Sequence, residues 1–118
     1  MATKDMKLGH STTDFLVEVA PGVGKAFKQL RQEIATSGPL DDTTFELILM
    51  SALAVEGLEL PFKNHALNAF KHGVTREMLR QTVLIPFAAT AKTFSVVLAL
   101  HWIDEAYEEY LKRAKAAE

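Results

Sequence analysis

The apolar positions of this chain recur at helical spacing along most of its length. Val23, Phe27, Leu30 and Ile34 fall three and four residues apart, which predicts a helix with one buried stripe. Before it, Ser11, Thr12 or Thr13 can cap a short helix running through Phe15, Leu16 and Val19, and Pro21-Gly22 breaks that helix. Ser37-Gly38-Pro39 ends the second one. From Phe45 to Val55 the apolar residues cover nearly the whole circumference, so a third helix is expected to be buried all round. Asp41 or Asp42 is placed to cap it, and Glu56-Gly57 to close it with a residue that tolerates a left-handed turn.

Leu60-Pro61 restarts the chain, proline being tolerable in a first helical turn, and His65 follows one turn later. Residues 40–73 therefore read as a helical hairpin, with one acid, Glu46, on its first limb and an imidazole on its second. His72-Gly73 ends the fourth helix, and Thr75 caps a fifth with Glu77 favourable in its first turn. Pro86 lacks a backbone N–H and crowds the preceding turn, so it should kink or end that helix. Residues 88–115 form the last helix, small at its start, apolar through Phe94, Val96, Trp102 and Ile103, and charged at its end. No strand-like alternation, internal repeat or low-complexity tract interrupts the pattern. The expected fold is all-α: a single-domain bundle of about six helices over residues 1–118, built around the central hairpin, with residues 1–10 as a flexible or partner-docked arm.

Composition narrows the functions open to such a bundle. A formal net charge of −2 leaves no basic surplus to neutralise a phosphate backbone, so no nucleic-acid partner is expected. No apolar run approaches the roughly 20 residues needed to span a bilayer, and the N-terminus has no apolar core of signal-peptide type; no membrane association is expected. The chain has no cysteine, which excludes disulfides, thiolate metal sites and thiol chemistry, and fits a cytoplasmic location. The hairpin and the 94–103 run carry more apolar surface than one small bundle usually hides, so self-association through the hairpin and last helix is the expected outlet.

Three residues stand out as candidates for chemistry. His65 can serve as acid or base near neutral pH, or else be a core histidine bonded to a backbone carbonyl. Glu46 lies in an apolar helix, where an unpaired charge is costly; it needs a partner such as Lys63 or Arg76, a proton, or a polar pocket. If it faces His65 it can orient and charge the ring. Lys92 sits in an otherwise small and apolar stretch, where it can bind a carboxylate or snorkel to solvent. His101 with Glu105 reads as a surface pair, and His10 and His72 as exposed. Four scattered histidines make no metal-ligand cluster, so neither a metal nor any other cofactor is expected.

Thr44-Phe45-Glu46-Leu47, then His65-Ala66-Leu67-Asn68-Ala69-Phe70-Lys71-His72-Gly73-Val74-Thr75-Arg76-Glu77 and the apolar helix after it, resemble the carboxymuconolactone decarboxylase family, which includes the alkyl hydroperoxidase D-like proteins. The resemblance covers roughly residues 40–105. It implies an all-helical subunit, a homotrimer or homohexamer, and a site at the hairpin near subunit contacts. In the peroxidase-like branch a pair of cysteines does redox chemistry, assisted by a glutamate and a histidine. Glu46 and His65 match the assisting positions, but Leu58 and Pro61 stand where the cysteines would be, so thiol peroxidase and disulfide reductase activities are ruled out. In the decarboxylase branch the site histidine matches His65, and a Tyr-x-Gly-x-Pro segment follows; ungapped counting puts Ala89-Thr90-Ala91-Lys92-Thr93 there. The resemblance thus implies a cofactor-independent enzyme acting on a small carboxylated or lactone-type molecule. His65 would be the acid/base, Glu46 its orienting partner and Lys92 the anion or carbonyl contact. The alternative is a non-catalytic oligomeric protein of the same fold that binds a small molecule or acts as a scaffold.

Overall fold

A computed structural model describes Leu8 and residues 11–118. Six α-helices follow one another: α1 Thr12–Val19, α2 Pro21–Ala35, α3 Asp42–Glu56, α4 Glu59–Lys71, α5 Arg76–Leu84 and α6 Thr93–Ala116, with a 3-10 turn, Ile85–Ala88, after α5. The arm expected over residues 1–10 and the exposure expected for His10 lie outside the described residues, Leu8 apart.

Local signals set these boundaries. Ser11 Oγ accepts from the Thr13 N–H at 3.1 Å, Asp41 Oδ1 from the Thr44 N–H at 2.7 Å and Thr75 Oγ1 from the Met78 N–H at 3.1 Å, each satisfying a donor that the first helical turn leaves free. The bond from the Thr44 backbone holds the Asp41 carboxyl below its ordinary value. Gly57, at φ 74°, closes α3 in the left-handed conformation that side chains avoid. Glu59 rather than Leu60 begins α4, which puts Pro61 third in the helix, still among the positions whose N–H has no intrahelical acceptor. Pro86 ends α5, the chain tightening into the 3-10 turn.

The core lies among α3, α4, α5 and α6. Met50, Phe62, Leu79, Val83 and Ile103 are its largest fully buried side chains. Helices α4 and α6 pack against each other, with the Phe62 and Trp102 rings 5.9 Å apart and Phe70 edge-on to Tyr107 at 5.2 Å. Ala66, Ala99 and Ala106 are wholly buried, and their small side chains let the helix axes approach.

Three expectations are corrected. Helix α3 is not covered all round: Met50 and Ala54 are buried, but the stripe of Ile48, Ala52 and Val55 stays exposed, Ile48 at 57%. The apolar stripe of α2 is not buried either, with Val23, Phe27, Leu30 and Ile34 between 41% and 62% exposed. Its inward face is one position further round, where Gly24 is buried and Arg31 and Ala35 are half-buried. A Cβ on Gly24 would lie 2.5 Å from the Val17 Cα, so only glycine lets α1 pack this closely on α2. Finally, Glu105 reaches across to Lys63 Nζ at 2.7 Å instead of pairing with His101.

Candidate functional site

The turn at Gly57 and Leu58 folds α4 back along α3 and so sets Glu46 beside His65. His65 Nδ1 and Glu46 Oε1 share a hydrogen bond, with the two side chains 23% and 19% exposed. An ionised carboxylate only accepts, so the ring donates from Nδ1. That bond fixes the ring's orientation and leaves Nε2 as the nitrogen free for proton exchange. Glu46 can also stabilise an imidazolium formed on the other side of the ring.

The cations considered as structural partners for Glu46 are engaged elsewhere. Lys63 Nζ lies 2.6 Å from Glu59 and 2.7 Å from Glu105. Burial alone would lower the Lys63 pKa, but the bonds from Glu105 and Glu59 outweigh it and hold the ammonium above its ordinary 10.5. Arg76 reaches Asp104 at 3.6 Å and stacks over the Tyr107 ring at 4.3 Å.

The pair stands between two hollows. On the His65 side a cavity of about 250 Å³ is lined by Ser11, Thr13, Arg31, Asn64 and Asn68. On the Glu46 side a larger one, about 520 Å³, is lined by Asp42, Phe45, Asn68, His72 and Val74. Asn68 borders both, and Arg31 also borders a third hollow toward Asp14, Lys28 and Phe45. The exposed His72 has its Nδ1 2.8 Å from the Asn68 carbonyl. Among the described residues no three His, Asp or Glu side chains group in a way that could hold a metal ion.

Lys92 is not brought to this place within one chain. Residues 89–92 follow the 3-10 turn and are not the start of a helix, which begins only at Thr93, so Lys92 is an exposed N-cap. Trp102, which packs against Phe62 of α4, lies ten residues on, about 15 Å along the α6 axis at 1.5 Å per residue. Lys92 borders neither cavity beside the pair.

Arg31 and Asn68 border the site without having been candidates from sequence. The apolar stripe of α2 pointed to the neighbouring face, one position back, as the buried one. A signal was present: Gly24 inside a helical pattern marks a close approach, and Arg31, two turns later, shares its face.

A sequence model described as the Carboxymuconolactone decarboxylase family matches residues 21–105. The match starts at Pro21 and so takes in all of α2, beyond the segment from residue 40 that carries the motif residues. No curated protein and no solved structure matches the chain.

Proposed function

This chain belongs to the carboxymuconolactone decarboxylase family, and from that premise we propose that it is a cofactor-independent, decarboxylase-like enzyme acting on a small carboxylated or lactone-type molecule. The observation that carries this reading is the Glu46–His65 hydrogen bond at the edge of an open cavity. In the reaction, the bond between the substrate carbon and its carboxylate breaks, CO2 leaves, and the electron pair delocalises into the lactone carbonyl. His65 Nε2 delivers the proton that replaces CO2 on carbon, and the imidazole is reprotonated from solvent. Glu46, through Nδ1, orients the ring and offsets its positive charge. For Lys92 to serve as the anion contact, a neighbouring subunit must bring it to the cavity.

Self-association as a homotrimer or homohexamer belongs to the same reading. It is supported by Ile48, Met78 and Ile85, exposed apolar residues that line one groove of about 390 Å³ between α3 and α5. No helix among the described residues is long and apolar enough to cross a membrane, and the absence of cysteine fits the cytoplasm.

A second reading, a non-catalytic binding or scaffold protein, is favoured by Ala89, Ala91 and Thr93 at the positions where the family resemblance implies tyrosine, glycine and proline. CO2 release from 4-carboxymuconolactone separates the two. An enzyme turns this substrate over, and His65→Gln lowers the rate by about 100-fold or more with assembly unchanged. A wild-type chain that releases no CO2 from this or other carboxylated lactones supports the scaffold.

A further inference from the structure

We propose that Arg31 is the anchor for an anionic group of the small molecule that occupies the His65 cavity, so that the site selects carboxylates over their neutral isosteres. This rests on the decarboxylase-like reading for the choice of ligand, and on geometry for the choice of residue.

Arg31 is half-buried on the inward face of α2 and lines the same cavity as His65. Among the described residues it has no ion-pair partner: Asp14, across the adjoining hollow, is bonded to Lys28 Nζ at 2.8 Å. Among the described residues no carboxylate lines the His65 cavity, since Glu46 stands behind the ring on the other hollow. Apart from His65, the rest of the described lining is uncharged: hydroxyls and amides from Ser11, Thr12, Thr13, Asn64 and Asn68, with the Pro61 ring. A guanidinium bordering a cavity with no described carboxylate in its lining is complementary to an anion. A guanidinium binds a carboxylate through two parallel N–H bonds, which fixes its direction as well as its place. At about 250 Å³ the cavity lies just below the usual small-molecule range of roughly 300–1,000 Å³, which suits one small organic acid.

The arrangement also divides the labour. Arg31 comes from the N-terminal helix pair and His65 from the central hairpin, and both line the one cavity. Arg31 is on this account a substrate-binding residue, and His65 remains the proton carrier.

The test is binding of 5-oxotetrahydrofuran-2-carboxylate, a γ-lactone acid, and of its neutral carboxamide to the full-length chain, followed by backbone and His65 ring NMR shifts. The acid is expected to shift His65 and the Ser11–Thr13 amides. The carboxamide should bind roughly 10- to 100-fold more weakly. Arg31→Gln should weaken the acid by a similar factor and leave the carboxamide alone. Arg31→Lys, which keeps the charge and loses the fork, should fall between, and His65→Gln should bind the acid within about threefold of wild type. Equal binding of acid and carboxamide, undiminished acid binding in Arg31→Gln, or no binding of the acid to the wild-type chain overturns the proposal. Acid binding through Arg31 in a chain that releases no CO2 would sink the decarboxylase reading and keep the anchor. Turnover with unchanged KM in Arg31→Gln would do the reverse.

Discussion

Helices α1 and α2 on one side and α3 to α6 on the other are held in different ways. The four later helices enclose a core of large side chains, Met50, Phe62, Leu79, Val83, Trp102 and Ile103 among them. In the first two helices the only buried positions are Thr13 and Gly24. Their mutual packing depends on the absence of a side chain at Gly24 and on an exposed Lys28–Asp14 pair, which is worth little in water. The lesson is that α1 and α2 do not earn their place by building a core. They bring Ser11, Thr13 and Arg31 to the cavity beside His65, and their apolar stripe faces outward.

Substitution in the body should break the molecule. Phe62→Ala removes a wholly buried ring that packs on Trp102, and the expected loss is about 3–5 kcal/mol of unfolding free energy in urea titration. A loss below about 1 kcal/mol would mean that the core is not where the buried side chains put it.

Substitution at Gly24 should instead open the first pair alone. In Gly24→Ala the added methyl meets Val17 backbone and side chain, so α1 must move away, at a cost of about 1–3 kcal/mol confined to that pair. Hydrogen exchange should speed up in α1 and α2 and stay unchanged in α3 to α6. Uniform acceleration would show that the two regions unfold as one.

The smallest effect is electrostatic and belongs to the body. Because the Lys63 pKa is raised in the folded chain, the stability it contributes is complete below about pH 10.5 and is lost as pH rises through the raised value. The amount is no more than about 1 kcal/mol, since Glu59 and Glu105 are both more than half exposed. Lys63→Met should therefore flatten the fall in stability between about pH 9 and about pH 12, measured by urea titration at each pH. An unchanged alkaline slope would assign it to other groups.

The same division explains what could be read in the chain before its structure. Thr75, Gly57 and Pro86 were legible, and Ser11 and Asp41 each as one of two or three adjacent cap candidates, because each acts on backbone groups within a few residues of itself. Glu46 and His65 were legible as a pair on facing limbs of one hairpin, though only folding shows that they meet. Arg31 was not, because periodicity identifies an apolar stripe without saying what covers it, and α2 turns its Gly24 face inward. The start of the last helix was misplaced for a related reason: a run of small residues is compatible with a helix start, but after Pro86 the chain uses it for a turn and α6 begins only at Thr93.

A double-mutant cycle on CO2 release from 4-carboxymuconolactone, with Glu46→Gln, His65→Gln and both together, tests the central claim most directly. If Glu46 works through the His65 ring, the pair acts as a unit, and losing both costs little more than losing His65 alone, about 100-fold or more. Losses that multiply, with each residue contributing independently, would contradict the claim, as would a wild-type chain that releases no CO2.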